Sequence, residues 1–260
     1  MSEVIAIVSG KGGVGKTTVT ANIGTALAAM GYKVLLIDAD VGLRNLDIAL
    51  GMQDRIVYHF LDLMDEACSE KQAIINDEKY TGLSFLAAPQ CQSLEVKHFP
   101  LFKKMTDKLK TRYDYIIIDC PAGIDKGFLM AVNAADKVII VSTPDMLSVR
   151  DADKVAAMSE KFGIEKSFLI INKINVDMIK KGDMIDIDTI INTVAVPLIG
   201  AVPEDSGIIR SINTGKPIVL LPKKHSATAF INIAKRITGR KVPIMKDEKR
   251  GLFSFFRRKK

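Results

Sequence analysis

The sequence predicts a doubly wound α/β fold with a mainly parallel sheet. Short runs rich in Ile and Val recur along the 260 residues. Most are apolar throughout rather than alternating, which is typical of strands buried on both faces. Segments with helical periodicity separate them, and this alternation favours parallel strands joined by crossover helices. The predicted strands are residues 4–8, 33–37, 83–87, 115–119, 137–141, 168–171 and 198–202, and the predicted helices include residues 16–30, 97–110, 149–162, 185–193 and 226–238.

The length allows one large α/β domain, predicted for residues 1–240, followed by a linker and tail over residues 241–260. No run approaches the roughly 18 apolar residues of a membrane-spanning helix, and no signal peptide is recognisable. The three cysteines, Cys68, Cys91 and Cys120, form no C-x-x-C pair, which indicates reduced thiols rather than an iron–sulfur cluster. We therefore expect a cytoplasmic protein.

The positive charge is concentrated at the C-terminus. Residues 246–260 contain seven Lys or Arg against Asp247 and Glu248, so this segment carries +5 of the net charge of +7. The other 245 residues carry only +2 and are close to neutral. A basic tail attracts the phosphates of lipids or of nucleic acid.

The segment between the first predicted strand and helix matches G-x-x-x-x-G-K-[ST], the phosphate-binding P-loop. Its glycines let the backbone curl so that N–H groups point at phosphate oxygens, and the start of the next helix adds positive potential. Lys16 is expected to reach the β- and γ-phosphates of ATP, and the Thr17 hydroxyl to ligate Mg²⁺. The predicted nucleotide contacts in this loop are Gly10, Lys11, Gly12, Gly13, Val14, Gly15, Lys16, Thr17 and Thr18.

Carboxylates end two of the predicted strands, at Asp38-Ala39-Asp40 and at Asp119. Ligands of open parallel sheets bind at the carboxyl ends of strands. A carboxylate ending an apolar strand is costly to bury unless it meets a cation or hydrogen-bond donors, and Mg²⁺ would meet that need for Asp119. Turn or helix-capping roles are the alternatives for all three aspartates. The Gly123 N–H, in the tight segment after Asp119, is predicted to approach the γ-phosphate.

Two further strand ends fit adenine recognition. Asn172 supplies an amide that can both donate and accept, as the edge of a purine requires. Pro203 and Asp205 follow the last predicted strand and are the other predicted base contacts. Simple turn chemistry is the alternative for each of these positions.

Motifs spread over most of the chain resemble the MinD family of deviant-Walker ATPases. An ordinary P-loop needs no lysine after its first glycine, whereas K-G-G-x-G-K-[ST], beginning at Lys11, is the deviant signature; a solvated loop lysine is the alternative. The other matching stretches are GLRNLD at 42–47, PAGI at 121–124, SVRDAD at 148–153, GDM at 182–184 and VPED at 202–205. Lys173 departs from the arginine more often expected beside the adenine-facing Asn.

This resemblance implies roles for particular residues. Lys11, Lys16 and Asp40 would be the catalytic residues, with Lys11 contacting nucleotide across a homodimer interface and Asp40 orienting the attacking water. Asp38 would assist Thr17 and Asp119 around Mg²⁺. Asp151 and Asp153 would lie at the dimer surface, where a carboxylate could meet Lys11. The alternative for these two is a helix cap with an acidic first turn.

The resemblance also implies a cellular role. Family members dimerise with ATP, bind anionic inner-membrane lipid through a C-terminal amphipathic helix and recruit the division inhibitor MinC. Their ATPase is stimulated by MinE or another topological activator. We therefore expect the ATP-bound protein to lie peripherally on the cytoplasmic face of the inner membrane.

The tail is compatible with an amphipathic helix that contacts lipid. Leu252, Phe255 and Phe256 are spaced i, i+3, i+4, and Phe253 lies at the border of the same face. These four are the predicted membrane-binding residues. A disordered, solubilising basic end is the alternative.

Three other functions compete. A ParA-type partition ATPase would need basic residues clustered on the folded body to bind DNA, and the body carries only +2. A flagellar-number regulator of the same subfamily is harder to separate from a division regulator. An adapter that binds nucleotide without hydrolysing it shares all the motifs. No specific nucleic-acid partner is expected.

Overall fold

The computed structural model describes residues 2–90, 94–221 and 224–244. Cys91 and the predicted membrane-binding residues Leu252, Phe253, Phe255 and Phe256 lie outside the described residues. No helix within the described ranges is long and apolar enough to cross a membrane.

One mainly parallel sheet forms the centre of the molecule. Its strands are β1 (Glu3–Val8), β2 (Val34–Asp38), β3 (Ile74–Asn76), β4 (Leu83–Leu86), β5 (Tyr115–Asp119), β6 (Lys137–Ser142), β7 (Ser167–Ile174) and β8 (Leu198–Pro203). They lie side by side in the order β3-β4-β2-β5-β1-β6-β7-β8. All neighbours are parallel except β3 and β4. The predicted doubly wound fold is therefore confirmed, and the three-residue β3 is the strand that the sequence did not predict.

Helices cover both faces of the sheet. They are α1 (Lys16–Ala29), α2 (Leu46–Leu50), α3 (Phe60–Met64), α4 (Glu70–Ala73), α5 (His98–Leu109), α6 (Lys126–Ala134), α7 (Met146–Lys161), α8 (Val176–Lys181), α9 (Ile187–Val194), α10 (Gly207–Asn213) and α11 (His225–Ile237). Short 3₁₀ turns occupy Gln53–Arg55 and Ile218–Leu220. The predicted start of α7 at residue 149 was wrong by three residues, because Asp145 accepts a hydrogen bond from the Ser148 N–H and caps the helix earlier.

Two hydrophobic cores lie on opposite sides of the sheet. In β1, Ile5 and Ile7 join the core beneath α1 and α11, whereas Val4, Ala6 and Val8 join the core beneath α5, α6 and α7. Because both faces of each central strand are buried, every position along it is apolar. This burial explains the continuous Ile and Val runs in the sequence.

The strand order places the candidate site at the carboxyl ends of the central strands of the sheet. The loop after β1 leads into α1. The adjacent strand β5 ends in Asp119, and β2, on the far side of β5, ends in Asp38. On the other side of β1, β6 leads to α7 and β7 carries Asn172. Residues that are far apart in sequence therefore meet around the P-loop.

Candidate nucleotide-binding site

The P-loop curls around the start of α1. Gly13 and Gly15 have φ of 78° and 96°, in the left-handed region that favours glycine, and Gly15 is the residue before the helix. No side chain caps the helix start, so the first backbone N–H groups of α1 have no capping acceptor. Such a helix terminus is a ready anion-binding site.

Neighbouring strands hold the backbone of the P-loop by hydrogen bonds. The Gly123 N–H donates to the Ser9 carbonyl at 2.9 Å. The Asn172 side-chain amide donates to the Val14 carbonyl at 2.8 Å, and the Lys173 ammonium donates to the Gly13 carbonyl at 2.7 Å. The loop is therefore anchored from β5 on one side and from β7 on the other.

An irregularity in β7 makes the second anchor possible. Lys173 has a left-handed backbone with φ of 58°, and the pairing of β7 with β8 shifts register between Ile171 and Ile174. Consecutive side chains of a regular strand point to opposite faces, but here both Asn172 and Lys173 reach the P-loop. Sequence reasoning missed this contact of Lys173.

The structure gives Asn172 and Gly123 tasks within the P-loop itself. The Asn172 amide nitrogen donates one hydrogen bond to the Val14 carbonyl, while the buried Oδ1 of Asn172 has no hydrogen-bond partner. That oxygen is an acceptor still available to a ligand donor, such as the amino group of a purine. The Gly123 N–H would have to leave the Ser9 carbonyl before it could reach a phosphate.

Helix α7 packs directly against the first glycine of the P-loop. A Cβ added to Gly10 would lie 2.6 Å from both the Cβ and the carbonyl oxygen of Asp151. The Asp151 carboxylate itself pairs with Lys154 at 3.1 Å, and Asp153 is exposed. Both aspartates lie inside α7, so the alternative that either of them caps this helix is wrong.

Lys16 and two buried carboxylates lie beneath the loop. Lys16 is 8% exposed as a residue, and its ammonium donates to the Ser9 hydroxyl at 2.8 Å. Asp38 and Asp119 are 0% and 1% exposed and stand opposite each other in the β2–β5 register. Asp38 accepts the N–H groups of Asp40 and Leu46, and Asp119 accepts the Thr20 hydroxyl at 3.2 Å.

Burial makes ionisation of this pair costly. It raises the pKa of Asp38 to about 8, with a further contribution from the charge of Asp119. Burial also raises the pKa of Asp119 to about 6, although a hydrogen bond from Thr17 and the charge of Lys16 lower it. A bound cation would favour the charged form of both groups.

The residues present fit a magnesium ion that is shared with phosphates. Two carboxylates, Asp38 and Asp119, and the Thr17 hydroxyl offer the oxygen ligands that Mg²⁺ prefers. Nowhere in the described part of the chain are three or more His, Cys, Asp or Glu side chains grouped so that they alone could hold a metal. The oxygens of a bound nucleotide would complete the shell, as is usual for Mg²⁺.

Asp40 is partly buried next to this pair, and its N–H donates to Asp38. Burial raises its pKa, the charge of Lys16 lowers it, and Asp125 raises it again. Sequence reasoning missed Asp125, which caps α6 by accepting the N–H groups of Gly127 and Phe128. An aspartate just before an apolar helical run is a recognisable signal for such a cap.

Lys11 pairs within the chain with Asp145 rather than with Asp151 or Asp153. Its ammonium lies 3.7 Å from Asp145 Oδ1, and both side chains are nearly half exposed. Burial opposes ionisation of Asp145, but hydrogen bonds from Thr143 and Ser148 outweigh it and lower the pKa. Sequence reasoning missed Asp145, whose position before an apolar helix start is another capping signal.

Asp205, which follows the carboxyl end of β8, has a structural role. Asp205 accepts the Gly207 N–H at 2.8 Å and the Ser226 hydroxyl at 2.7 Å, which ties the end of β8 to the start of α11. This is the turn chemistry that the sequence left open for Asp205. Pro203 is the last residue of β8. Contacts of Pro203 and Asp205 with adenine stay predictions.

Comparison with known proteins identifies the family. The CobQ/CobB/MinD/ParA nucleotide-binding domain matches residues 5–218. The septum site-determining protein MinD of Bacillus subtilis (strain 168) is 42% identical over 258 residues, covering 98% of this chain and 96% of its own. The chain belongs to the MinD family.

Solved structures of the MinD family share the whole fold. A MinC:MinD cell division protein complex from Aquifex aeolicus contains a chain that is 42% identical, with a TM-score of 0.89 and coverage of 94% of this chain and 99% of that one. MinD complexed with Mg-ADP from Pyrococcus horikoshii OT3 is 31% identical, with a TM-score of 0.78 and coverage of 91% and 96%. These relatives support a nucleotide-binding protein of septum-site determination in cell division, rather than a DNA-partition protein.

The contact between Gly10 and α7 generates a stability prediction for this MinD-family chain. Gly10→Ala must push the loop away from the Asp151 backbone, so we expect the free energy of unfolding to fall by about 1–3 kcal/mol. Gly12→Ala is the matched control, because its added Cβ would meet only the Ala122 Cβ at 4.0 Å. We expect that control to stay within about 0.5 kcal/mol of the wild type. Urea unfolding without nucleotide measures both, and equal losses would contradict the packing argument.

The buried carboxylates generate a pH prediction. Their folded pKa values lie above the ordinary 3.8, so the folded protein retains protons that the unfolded chain loses. The contribution of this pair to the free energy of unfolding therefore falls as pH rises from about 4 to about 8. Asp119→Asn removes one of these groups and the charge that raises the pKa of Asp38. Between pH 5 and pH 8 in EDTA, the free energy of unfolding should therefore fall less in the variant than in the wild type. We expect the difference between the two proteins to change by about 1–3 kcal/mol in favour of the variant. Urea unfolding at both pH values tests this, and an unchanged difference would refute it.

Proposed function

We propose that the chain is a Mg²⁺-dependent ATPase that dimerises with ATP and binds the inner membrane through its tail. In this role it recruits a MinC-type division inhibitor and leaves the membrane after hydrolysis. The observation that carries the proposal is the meeting of Lys16, Asp40 and the Asp38–Asp119 pair beneath the uncapped start of α1. This arrangement supports both phosphate binding and chemistry at the γ-phosphate.

Hydrolysis requires a water to attack the γ-phosphorus while the bond to the β-phosphate oxygen breaks. The Lys16 ammonium would neutralise charge on the β- and γ-phosphate oxygens, replacing its hydrogen bond to Ser9. Asp40 would accept a hydrogen bond from the attacking water and so orient it. Mg²⁺, held by Thr17, Asp38 and Asp119, would supply charge neutralisation on the phosphates.

Lys11 is suited to act across a dimer interface. Its ion pair with Asp145 is long and nearly half exposed, and such surface pairs are worth roughly 0–1 kcal/mol. Lys11 would therefore lose little free energy by leaving Asp145 to contact the phosphates of nucleotide bound to a second protomer. ATP would link the two chains, and loss of the γ-phosphate would weaken that link.

Several apolar residues are exposed at the end of the sheet that holds the P-loop. Leu43, Ile124, Met146 and Leu147 are exposed and follow the carboxyl ends of β2, β5 and β6. Exposed apolar groups clustered near one another favour interaction with another protein. We assign this edge, together with Asp151 and Asp153, to dimer and partner contacts, including a MinC-type inhibitor and a MinE-type activator. The Aquifex MinC:MinD complex supports the inhibitor.

Membrane binding is assigned to the tail of seven basic and four large apolar residues within 246–260. Each basic residue near anionic lipid contributes about 1 kcal/mol. A single short amphipathic segment binds reversibly, whereas two on one dimer make the second contact intramolecular. ATP would thereby control membrane affinity through dimerisation, and the protein would be cytoplasmic when monomeric.

Two variants separate dimerisation from chemistry. Asp40→Ala should bind ATP and hydrolyse it at least about 10²-fold more slowly, because the water is no longer oriented, so the dimer accumulates. Lys11→Ala should bind ATP yet remain monomeric. Light scattering and phosphate release measure both, with Lys104→Ala, an exposed lysine on α5, as the control. A monomeric Asp40→Ala protein in ATP, or a normally dimerising Lys11→Ala protein, would contradict the scheme.

The membrane switch makes a separate prediction. The wild type should sediment with anionic liposomes in ATP and only weakly in ADP, because pairing raises avidity by a factor on the order of 10²–10⁴. Deleting residues 246–260, or Phe253→Glu, should abolish sedimentation. Ser254→Glu is the matched control, since it adds the same charge on the polar side of the predicted helix and should retain most binding. Equal sedimentation in ATP and ADP would contradict the proposal that ATP controls membrane binding.

A further inference from the structure

Arg236, near the end of α11, ties the C-terminal segment of the described chain to the sheet. Its Nε donates to the Val242 carbonyl at 2.9 Å, its Nη1 donates to the Ile199 carbonyl at 2.8 Å, and its Nη2 donates to the Pro243 carbonyl. Ile199 belongs to β8, the strand at one edge of the sheet. One guanidinium therefore connects residues 242 and 243 to the body of the protein.

The side chain is committed to these backbone oxygens. Among the ion pairs of the described ranges, none involves Arg236. Its guanidinium is partly buried, and this burial lowers the pKa. A planar fork can donate to three carbonyls in different directions at once, which the single ammonium of a lysine reproduces poorly.

The clamped segment changes the side of the sheet on which the chain lies. Helix α11 packs on one core, the chain reverses at Gly239 with φ of 82°, and Ile244 packs against the opposite core. Residues 241–244 thus pass around the β8 edge before the tail begins. At the start of the predicted linker and tail (241–260), the structure shows residues 242 and 243 held by Arg236.

The clamp lies far from the nucleotide site. Ile199 is near the amino end of β8, and the P-loop follows the carboxyl end of β1. Because β8 has six residues, the amino and carboxyl ends of the parallel strands lie about 16–20 Å apart. No hydrogen bond in the described chain joins residues 241–244 to the P-loop.

We propose that Arg236 is the positioning residue of the membrane tail, because it fixes the point at the sheet edge from which residues 245–260 begin. This inference rests on the proposed membrane function. With the clamp, seven residues separate Ile244 from Leu252, the first predicted lipid-contacting residue. Without the clamp, eleven residues separate Arg240 from Leu252. Effective concentration falls roughly as the −3/2 power of chain length, so losing the clamp should weaken two-tailed binding about twofold.

The test compares full-length wild type with Arg236→Gln and Arg236→Lys. Trypsin cleavage after Lys241, normalised to cleavage after Lys246, reports release of the clamped segment. We expect it to rise on the order of tenfold in Arg236→Gln and by less in Arg236→Lys. Sedimentation with anionic liposomes in ATP should need about twofold more lipid for half-maximal binding, while ATP hydrolysis without lipid stays unchanged.

A four-residue Gly-Ser insertion after Ile244 is the matched control. It lengthens the same chain and leaves Arg236 intact, so it should weaken lipid binding about as much as Arg236→Gln without faster cleavage after Lys241. Unchanged cleavage in Arg236→Gln would overturn the clamp. Faster cleavage with unchanged lipid binding would overturn the positioning role. If wild type itself fails to bind liposomes, the membrane function and the positioning role fall, while cleavage still decides whether the clamp exists.

Discussion

Two carboxyl groups buried side by side constrain the whole edge of this sheet. Asp38 and Asp119 end adjacent strands, and neither has access to bulk water. Removing two like charges from water is costly unless donors or cations compensate them. Backbone N–H groups donate hydrogen bonds to Asp38. Threonine hydroxyls donate to Asp119, and the charge of Lys16 also lowers the pKa of Asp119. These contacts compensate the cost of burying the two carboxylates only in part, because the pKa values of both groups stay raised. A bound divalent cation would stabilise their charged forms.

The P-loop above this pair depends on contacts that cross the sheet. Its carbonyl groups are held by β7 and by the segment after β5, which leaves its N–H groups to face a ligand. α7 closes against Gly10 and brings Asp145 to Lys11. The base of the site is thus held by several hydrogen bonds, whereas Lys11 makes one long ion pair at the surface. That division supports the proposed dimer, in which a second chain would complete the outer half of the nucleotide site.

The sequence was most informative where one physical cause acts on consecutive residues. Burial on both faces makes strands such as β1 apolar throughout, and a P-loop needs its glycines and Lys16 in fixed order. Helices of four to seven residues, such as α2 and α10, are too short to show a period. The pairing of Lys11 with Asp145 and the hydrogen bond from Arg236 to Ile199 depend on how distant elements pack, which no local pattern encodes. Lys173 adopts a left-handed backbone that its residue type does not suggest.

The magnesium dependence of ADP affinity tests the central claim most directly, namely that the buried Asp38–Asp119 pair is built for a cation shared with a nucleotide. Calorimetric titration of ADP in Mg²⁺ and in EDTA, with wild type and Asp119→Asn, provides this measurement. Wild type should bind at least about tenfold more tightly with Mg²⁺, a difference of about 1.4 kcal/mol. The variant should remain folded and lose most of that enhancement. An equal enhancement in both proteins would contradict the assignment of this pair to the metal.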